Sequence, residues 1–594
     1  MKKEVFLLLV PVVLAAGCTK DEIVPGGSSS SGSSTPLPEV TPEEDDEDDA
    51  IDNTTFARTI TITFSQNGNA TVTGDENGIV SVNGNHVTAD NTAYDEAVKF
   101  TLSGSTSNGS LKLYSGNRTA LALNGVNITN PSGAAINNQG KKRCFIIVGG
   151  SNSLADGSSA AYETEADEDL KAVLFSEGQI VFSGSGSLTV TANNSQGKSG
   201  ITSDDYVHFT ETPTITVTAG TGAGHGVRGK DYVRIEGATL DVTTKAAMKK
   251  GINSDGYVLV EGGSTTVNVS GGTAYDEEDQ EYTGSAGVKA DNFFGMTGGT
   301  LTIKNSGAGG KGIRAGNYDF YVENGGLNDS YISGGTLSVT TTGGESNDVS
   351  AKAIKIGFKE GSGRSYVYAG NLSISGGSTV VSCAKGEGLE TKGNLNISGG
   401  EVYVTSSSDD AINCQGELNV TGGFVYGYSS GNDAIDSNGN MVLSGGYVYG
   451  VCTRGAPEVA LDANTEGGYK LYIKSGAVVV AYGGLESSFS ADQNVYSMSC
   501  SAGSWNGLWN GSAFIGAFYA PSGVSSVAVS GPSLSQGYTG VSVGDSLCNG
   551  VWAADGISGG NAVSLSTYTG GGSGPGGGGG NPGGGPGGGG GRPW

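Results

Sequence analysis

Two series of residues in the middle of this chain could do chemistry. Thr202, Arg228, Asn253, Lys289, Arg314, Lys355, Glu390, Asn413, Asp436 and Asp462 each follow a Gly or Ala and then an Ile, Val or Leu. Three residues before each lies a second series: Ser199, His225, Lys250, Ala286, Lys311, Lys352, Glu387, Asp410, Asp433 and Val459. Both series are basic over their middle members and turn acidic near residue 387. If successive members stack as neighbours about 4.8 Å apart, each series is a column and its charges meet. Like charges at about 4–5 Å repel by on the order of 1 kcal/mol in water and several times that where solvent is partly excluded. Glu387, Glu390, Asp410, Asp433 and Asp436, with the amide oxygen of Asn413, therefore make either a well-hydrated surface or a hard-cation site. Calcium takes about six to eight oxygens at roughly 2.3–2.6 Å, a number that carboxylates from three adjacent turns of chain could supply. Asp409, Asn432 and Asp462 would add ligands or simply solvate. The basic stripe of Lys289, Arg314, Lys352 and Lys355 offers the carboxylates of a polyuronate what they need. The alternative is ordinary outward lysines under the insertions at 273–284, 317–330 and 357–369.

The elements that must position these residues follow from the repeat. The lead apolar residues at 201, 227, 252, 288, 313, 354, 389, 412, 435 and 461 are 23 to 26 apart where no insertion intervenes. That length holds three short strands and three bends, which is one coil of a parallel β-helix. Each coil buries the lead residue, the small residue two places on, and alternate residues of the later strands, such as Leu395, Ile397, Val402 and Val404. Stability comes from stacking, since no coil buries its apolar face alone. Gly-Gly pairs, as at 399–400, 422–423 and 445–446, fall between the second and third strands, where glycine turns the chain without steric cost.

Other features bound the function. A net charge of -27 excludes nucleic acid as a partner, because a polyphosphate would be repelled over most of the surface. Lys2 and Lys3 precede a twelve-residue apolar run, 5–16, too short to span a bilayer. Leu14-Ala15-Ala16-Gly17-Cys18 resembles a bacterial lipobox, which predicts a signal peptide over 1–17 and acylation of Cys18. Residues 18–50, rich in Ser, Gly, Pro and acid, read as a solvated tether. Acidic residues behind such a cysteine are similar to the surface-export signals of Bacteroidetes-type lipoproteins, so the expected location is the cell envelope at the outer-membrane surface. Residues 51–118 alternate without the coil motif and are expected to form a small β cap on a helix spanning 119–487. Residues 488–568, with Trp505, Trp509 and Trp552, are expected to cover the other end, and 569–594, almost all Gly and Pro, to be disordered. Cys383, Cys414 and Cys452 read as buried thiols, while Cys500 and Cys548 are a candidate disulfide with two free thiols as the alternative. Tyr403, Tyr426 and Tyr449 share register closely enough to form a ladder, either as faces for pyranose rings or as a structural device.

Particular segments carry a family resemblance. Leu121-Ala122-Leu123-Asn124-Gly125-Val126-Asn127-Ile128, the stretch Gly133 to Ile136, the strand Gly184 to Val190, and the coils Glu387-Gly388-Leu389-Glu390 and Asp409-Asp410-Ala411-Ile412-Asn413 resemble a bacterial carbohydrate-binding β-helix family first recognised in cellulolytic clostridia. The resemblance runs over roughly residues 95–565. It implies a right-handed parallel β-helix that binds calcium and attaches to cellulose or to acidic polysaccharides such as polygalacturonate, and that is similar in fold to calcium-dependent pectate lyases. It places the calcium role on Glu387, Glu390, Asp410, Asn413, Asp433 and Asp436. Ala411 and Ala434 stand where many relatives have Gly.

The expected function is therefore polysaccharide binding by a surface lipoprotein, with a calcium-dependent lyase as the alternative. A lyase would need a metal to acidify the proton beside a uronate carboxyl and a base such as Lys352, Lys355 or Lys385. A pectin-hydrolase reading fails, because His225 and the pair Asp409-Asp410 lie more than about 30 Å apart at the expected rise and in reversed order. His86 and His208 fall in strand-like stretches and read as structural.

Overall fold

A computed structural model describes residues 47–570, apart from 166–167, 278 and 363–364. The expectations for the signal peptide, for Cys18 with most of the tether, and for the tail beyond residue 570 lie outside the described residues.

The chain is all-β with large parallel sheets. One coil consists of the strands Leu389–Thr391, Leu395–Ile397 and Glu401–Ser406, and the next of Ile412–Cys414, Leu418–Val420 and Phe424–Ser429. Corresponding strands pair in parallel, so that Leu389 meets Ile412, Ile412 meets Ile435, and Ile435 meets Leu461. Among the described residues the first strands form a fifteen-stranded sheet, while second and third strands share a larger one. The alternation seen in the sequence has its cause here: Leu395, Ile397, Val402 and Val404 point inward into one continuous apolar core running from Ile60 to Leu485 and joined by Ala528. Gly422 and Gly423 show why the bend requires glycine. A Cβ on Gly422 would sit 2.3 Å from the Ser398 carbonyl oxygen of the coil below, and Gly423 has φ of +80°.

The parallel ladders begin earlier than the coil motif does. Arg58–Phe64 pairs in parallel with Val98–Thr106, which pairs with Thr119–Asn130, and Asn85–Asp90 pairs with Gly109–Tyr114. Residues 51–118, expected as a separate cap, thus already contain stacked strands. Only the short strands Thr71–Thr73 and Val80–Asn83 pair antiparallel there.

The three insertions fold as an antiparallel hairpin (Ala274–Asp276 with Glu281–Thr283), a helix (Tyr318–Asn324) and a second hairpin (Phe358–Ser362 with Ser365–Ala369). Asn317 caps the helix by accepting from the Phe320 N–H at 2.8 Å. At the C-terminal end the ladder stops where Val479, Val480 and Ala481 pair antiparallel with Ser530, Val529 and Ala528. A five-stranded antiparallel sheet then packs against the third strands of the last coils, with Trp552 and Phe518 against Tyr449. Upstream, the outward side of the third strands is open and rich in hydroxyls, as in Thr214, Thr216 and Thr218, which pair with Thr239, Asp241 and Thr243. No helix among the described residues is long and apolar enough to cross a membrane.

Candidate functional site

The first strands stack both charged series as the spacing predicts. Arg228, Asn253, Lys289, Arg314, Lys355, Glu390, Asn413, Asp436 and Asp462 are successive register partners. Beside them Lys250, Ala286, Lys311 and Lys352 are partners in the parallel column.

Over the basic coils this wall is covered rather than open, with Lys250, Lys311 and Lys352 buried. Burial, with Lys289, Arg314 and Lys249 around it, brings the Lys250 amine down to about 7, while Asp276 works the other way. Burial and then Arg314, Lys355 and Lys352 hold Lys311 well below the usual lysine range, and its amine donates to the Gly309 carbonyl at 3.0 Å. His225 is held well below the imidazole range by burial and by Lys250, and its Nδ1 accepts from the Lys250 N–H at 3.0 Å. Lys289 pairs with Asp291 at 2.5 Å.

A neutralised boundary follows. Lys352 lies 2.5 Å from Glu387 Oε2 and 2.9 Å from Glu390 Oε1, and Lys392 lies 2.5 Å from the same Glu390 oxygen. Burial would raise the Glu390 carboxyl, but Lys352, Lys392 and Lys355 outweigh it and hold it at about 2. Glu387 is raised, chiefly by burial, with Lys352 opposing. Two residues read as metal ligands are thus engaged by lysines, and Lys289 and Lys352, read as glycan ligands, are engaged by carboxylates.

Beyond the boundary the carboxyls have no such partners: among the described residues no ion pair includes Asp409, Asp410, Asp433, Asp436 or Asp462. Burial first, then Asp436, Asp409, Asp433 and Glu387, push Asp410 up to about 9. Burial and Asp433 push Asp436 up to about 7. Burial, opposed by the Val459 N–H and helped by Glu458 and Glu486, pushes Asp433 up to about 6. Asp410 accepts from Asn413 Nδ2 at 3.0 Å and from the Asp433 N–H at 3.0 Å. Buried carboxyls on one wall, an amide oxygen beside them and no protein cation form an oxygen donor set of the kind a hard divalent cation takes. Tighter convergence is found elsewhere. Asp169, Glu177 and Asp204 bring oxygens within 4.8 Å of one another, and Lys171 fills that group at 2.9 Å from Asp169 and 2.6 Å from Asp204.

The tyrosines read as a sugar platform are covered. Tyr403 stacks on Tyr426 with ring centroids 4.9 Å apart, but Tyr426 and Tyr449 are 2% and 0% exposed beneath the C-terminal sheet. The ladder is a packing device that docks this sheet, and its faces do not reach a ligand. Cys500 and Cys548 are free thiols, and the Cys548 thiol donates instead to the Val402 carbonyl at 3.3 Å. The structure adds a second ladder: Tyr206, Tyr232, Tyr257 and Phe293 stack with centroids 4.4, 4.9 and 5.0 Å apart. Each lies three residues after the small inward residue of its coil (Ser203, Gly229, Ser254, Ala290), a periodicity that would have revealed it. His208 is buried between Asp49 and Glu236, in keeping with a structural role.

A family model described as "Carbohydrate-binding domain-containing protein" matches residues 83–426, more than half of the chain. The chain belongs to this carbohydrate-binding family. The match ends inside the acidic coils, past Asp410 and Asn413 and before Asp433. A solved structure titled as the polysaccharide lyase-like protein from C. thermocellum, gadolinium derivative, shares 23% identity, covering 43% of this chain and 94% of that one, with a TM-score of 0.35. No curated protein matches the chain.

Proposed function

We propose that this member of the carbohydrate-binding family is a right-handed parallel β-helix, anchored to the outer-membrane surface through acylated Cys18, that holds acidic polysaccharide through calcium on its acidic coils. The observation that carries the reading is the set of buried carboxyls at Asp410 and Asp433 and the half-buried one at Asp436, with Asn413, that no ion pair with lysine or arginine neutralises. Calcium there would relieve the repulsion and leave coordination positions for uronate oxygens. Glu387 and Glu390, held by Lys352 and Lys392, orient the neighbouring coil instead of ligating.

Calorimetric titration with calcium, on the parent and on Asp410→Ala and Asp433→Ala, tests the site. The parent is expected to bind and each variant to lose on the order of a hundredfold in affinity. Equal affinity in all three removes calcium from the reading. Sedimentation with polygalacturonate, with and without chelator, tests the glycan: calcium-dependent pelleting is expected, whereas calcium-independent pelleting with cellulose alone would transfer the reading to a neutral polymer. Fatty-acid labelling lost in Cys18→Ser tests the anchor.

Calcium-dependent elimination is the second reading, favoured by one observation. Burial, with Arg314, Lys352 and Lys392, brings Lys355 down to about 8 against the pull of Glu390, the first member of the acidic run. Such an amine can take a proton near neutral pH. New ultraviolet absorbance from unsaturated ends, abolished in Lys355→Met, would establish it.

A further inference from the structure

We propose that Lys250, Lys311 and Arg314, with Lys355 at the rim, form a binding site for a compact oxyanion, a sulfate or phosphate group, separate from the acidic coils. The four cations come from three first strands, Lys250–Ser254, Lys311–Ala315 and Lys352–Ile356. Lys250 and Lys311 stand two coils apart in one column, with Ala286 between them contributing only a methyl group. The hairpin Ala274–Asp276 with Glu281–Thr283 leads directly into Ala286, and Arg314 Nη1 donates to Thr283 Oγ1 at 3.4 Å. Arg314 and Lys355 are half-buried and Lys250 and Lys311 buried, so an anion entering from solvent meets the first pair and reaches the second.

The case rests on positive charge that the facing carboxylates leave under-balanced. The chain carries 59 acidic residues and 32 basic ones, so carboxylate partners are plentiful. Yet among the described residues no ion pair includes Lys250, Lys311, Arg314 or Lys355, whereas Lys352 in the next position of the column has two carboxylates. Lysines can meet burial by releasing a proton, but a guanidinium cannot, and the Asp291 carboxylate that faces Arg314 is already held by Lys289 at 2.5 Å, which leaves Arg314 short of an anion. A carboxylate offers two oxygens in one plane, which suits a single guanidinium fork. Donors spread over two columns and three coils suit a group with three or four oxygens. The charged groups facing these amines are Lys249, Lys289, Arg314 and Asp276 at Lys250, and Arg314, Lys355, Lys352 and Glu390 at Lys311. Lys289 is already paired with Asp291 and Glu390 with Lys352 and Lys392. An arriving anion would therefore restore protons to Lys250 and Lys311, coupling binding to proton uptake.

The test titrates the full chain with inorganic sulfate by calorimetry at pH 8 in chelator, in two buffers of different ionisation enthalpy. Chelator keeps the calcium reading out of the measurement, so the two fail separately. Binding with uptake of about one proton is expected, weakened about tenfold in Lys311→Met and in Arg314→Gln and unchanged in Lys304→Gln on the open third-strand face. Arg314→Gln should also melt at a higher temperature than the parent in sulfate-free buffer, and the parent should gain in melting temperature when sulfate is added. Binding without proton uptake, equal binding by both variants, or a lower melting temperature for Arg314→Gln in sulfate-free buffer overturns the proposal. Parallel titrations with inorganic phosphate and with a sulfated glycan and its desulfated form assign the source: preference for the sulfated chain identifies an ester, and binding of the inorganic ions alone identifies a free anion.

Discussion

The basic and acidic coils are built alike, each with a buried lead aliphatic residue on a short first strand in the same parallel register, yet they resolve their charge in opposite ways. Lys250, Lys311, Arg314 and Lys355 are stacked and buried or half-buried without an ion pair, and Asp410, Asp433, Asp436 and Asp462 are stacked and buried or half-buried without one either. Between them Lys352, Lys392, Glu387 and Glu390 satisfy one another. Stacking alone does not set the outcome. What decides it is whether a side chain of opposite sign lies one coil away, and only at the boundary does the register supply one.

Breaking that boundary should have the largest effect. Glu390→Gln leaves Lys392 without a carboxylate and Lys352 with Glu387 alone, with an expected loss of about 3–5 kcal/mol in denaturant unfolding. A loss under about 1 kcal/mol would mean that the boundary is not what separates the two halves. Next comes the acidic half in chelator. Asp410 keeps its proton up to about pH 9 when folded, against an ordinary value of 3.8. Between those values the folded chain binds more protons than the unfolded one, so each rise in pH favours unfolding. Asp410→Asn should flatten this loss and be more stable than the parent at pH 8 by on the order of 1–3 kcal/mol, and calcium should reverse that order. Melting curves at pH 5 and pH 9, with and without calcium, check both.

The basic half should show the mirror image with a smaller amplitude. Lys250 titrates at about 7 when folded against 10.5 ordinarily, so over that window the unfolded chain holds more protons and rising pH favours folding. Lys250→Met should remove this rise, with a gain near pH 7 of about 1 kcal/mol that fades above pH 10. A parent whose stability is flat from pH 7 to 10 would show that the amine is not buried in its charged form's disfavour. The smallest change is expected at the balanced pair: Lys289→Met should alter stability by no more than about 1 kcal/mol, because the Arg314 guanidinium still faces Asp291.

The columns themselves were legible in the sequence, because a parallel stack converts a 23-residue spacing into contact, as Glu390, Asn413 and Asp436 show. Which charges would be left over was not legible. Lys392, two residues after Glu390 and outside both columns, reaches back to it through a flexible side chain that register does not describe. The cover on Tyr426 and Tyr449 was equally hidden, since it comes from Phe518 and Trp552, beyond the repeat and with no spacing to mark their partner. The early start of the ladders at Arg58–Phe64 was not legible either, because those strands alternate without the small residue and Gly-Gly bend that mark later coils.

The antiparallel strand that meets Val479, Val480 and Ala481 has a consequence for the molecule as a whole. Parallel coils grow by addition of one identical rung upon another, and the last rung would present a ready template to the first rung of a second molecule. A strand running the opposite way, which no incoming coil can match, acts as a terminator. It keeps a protein built on an extendable plan from polymerising end to end into filaments.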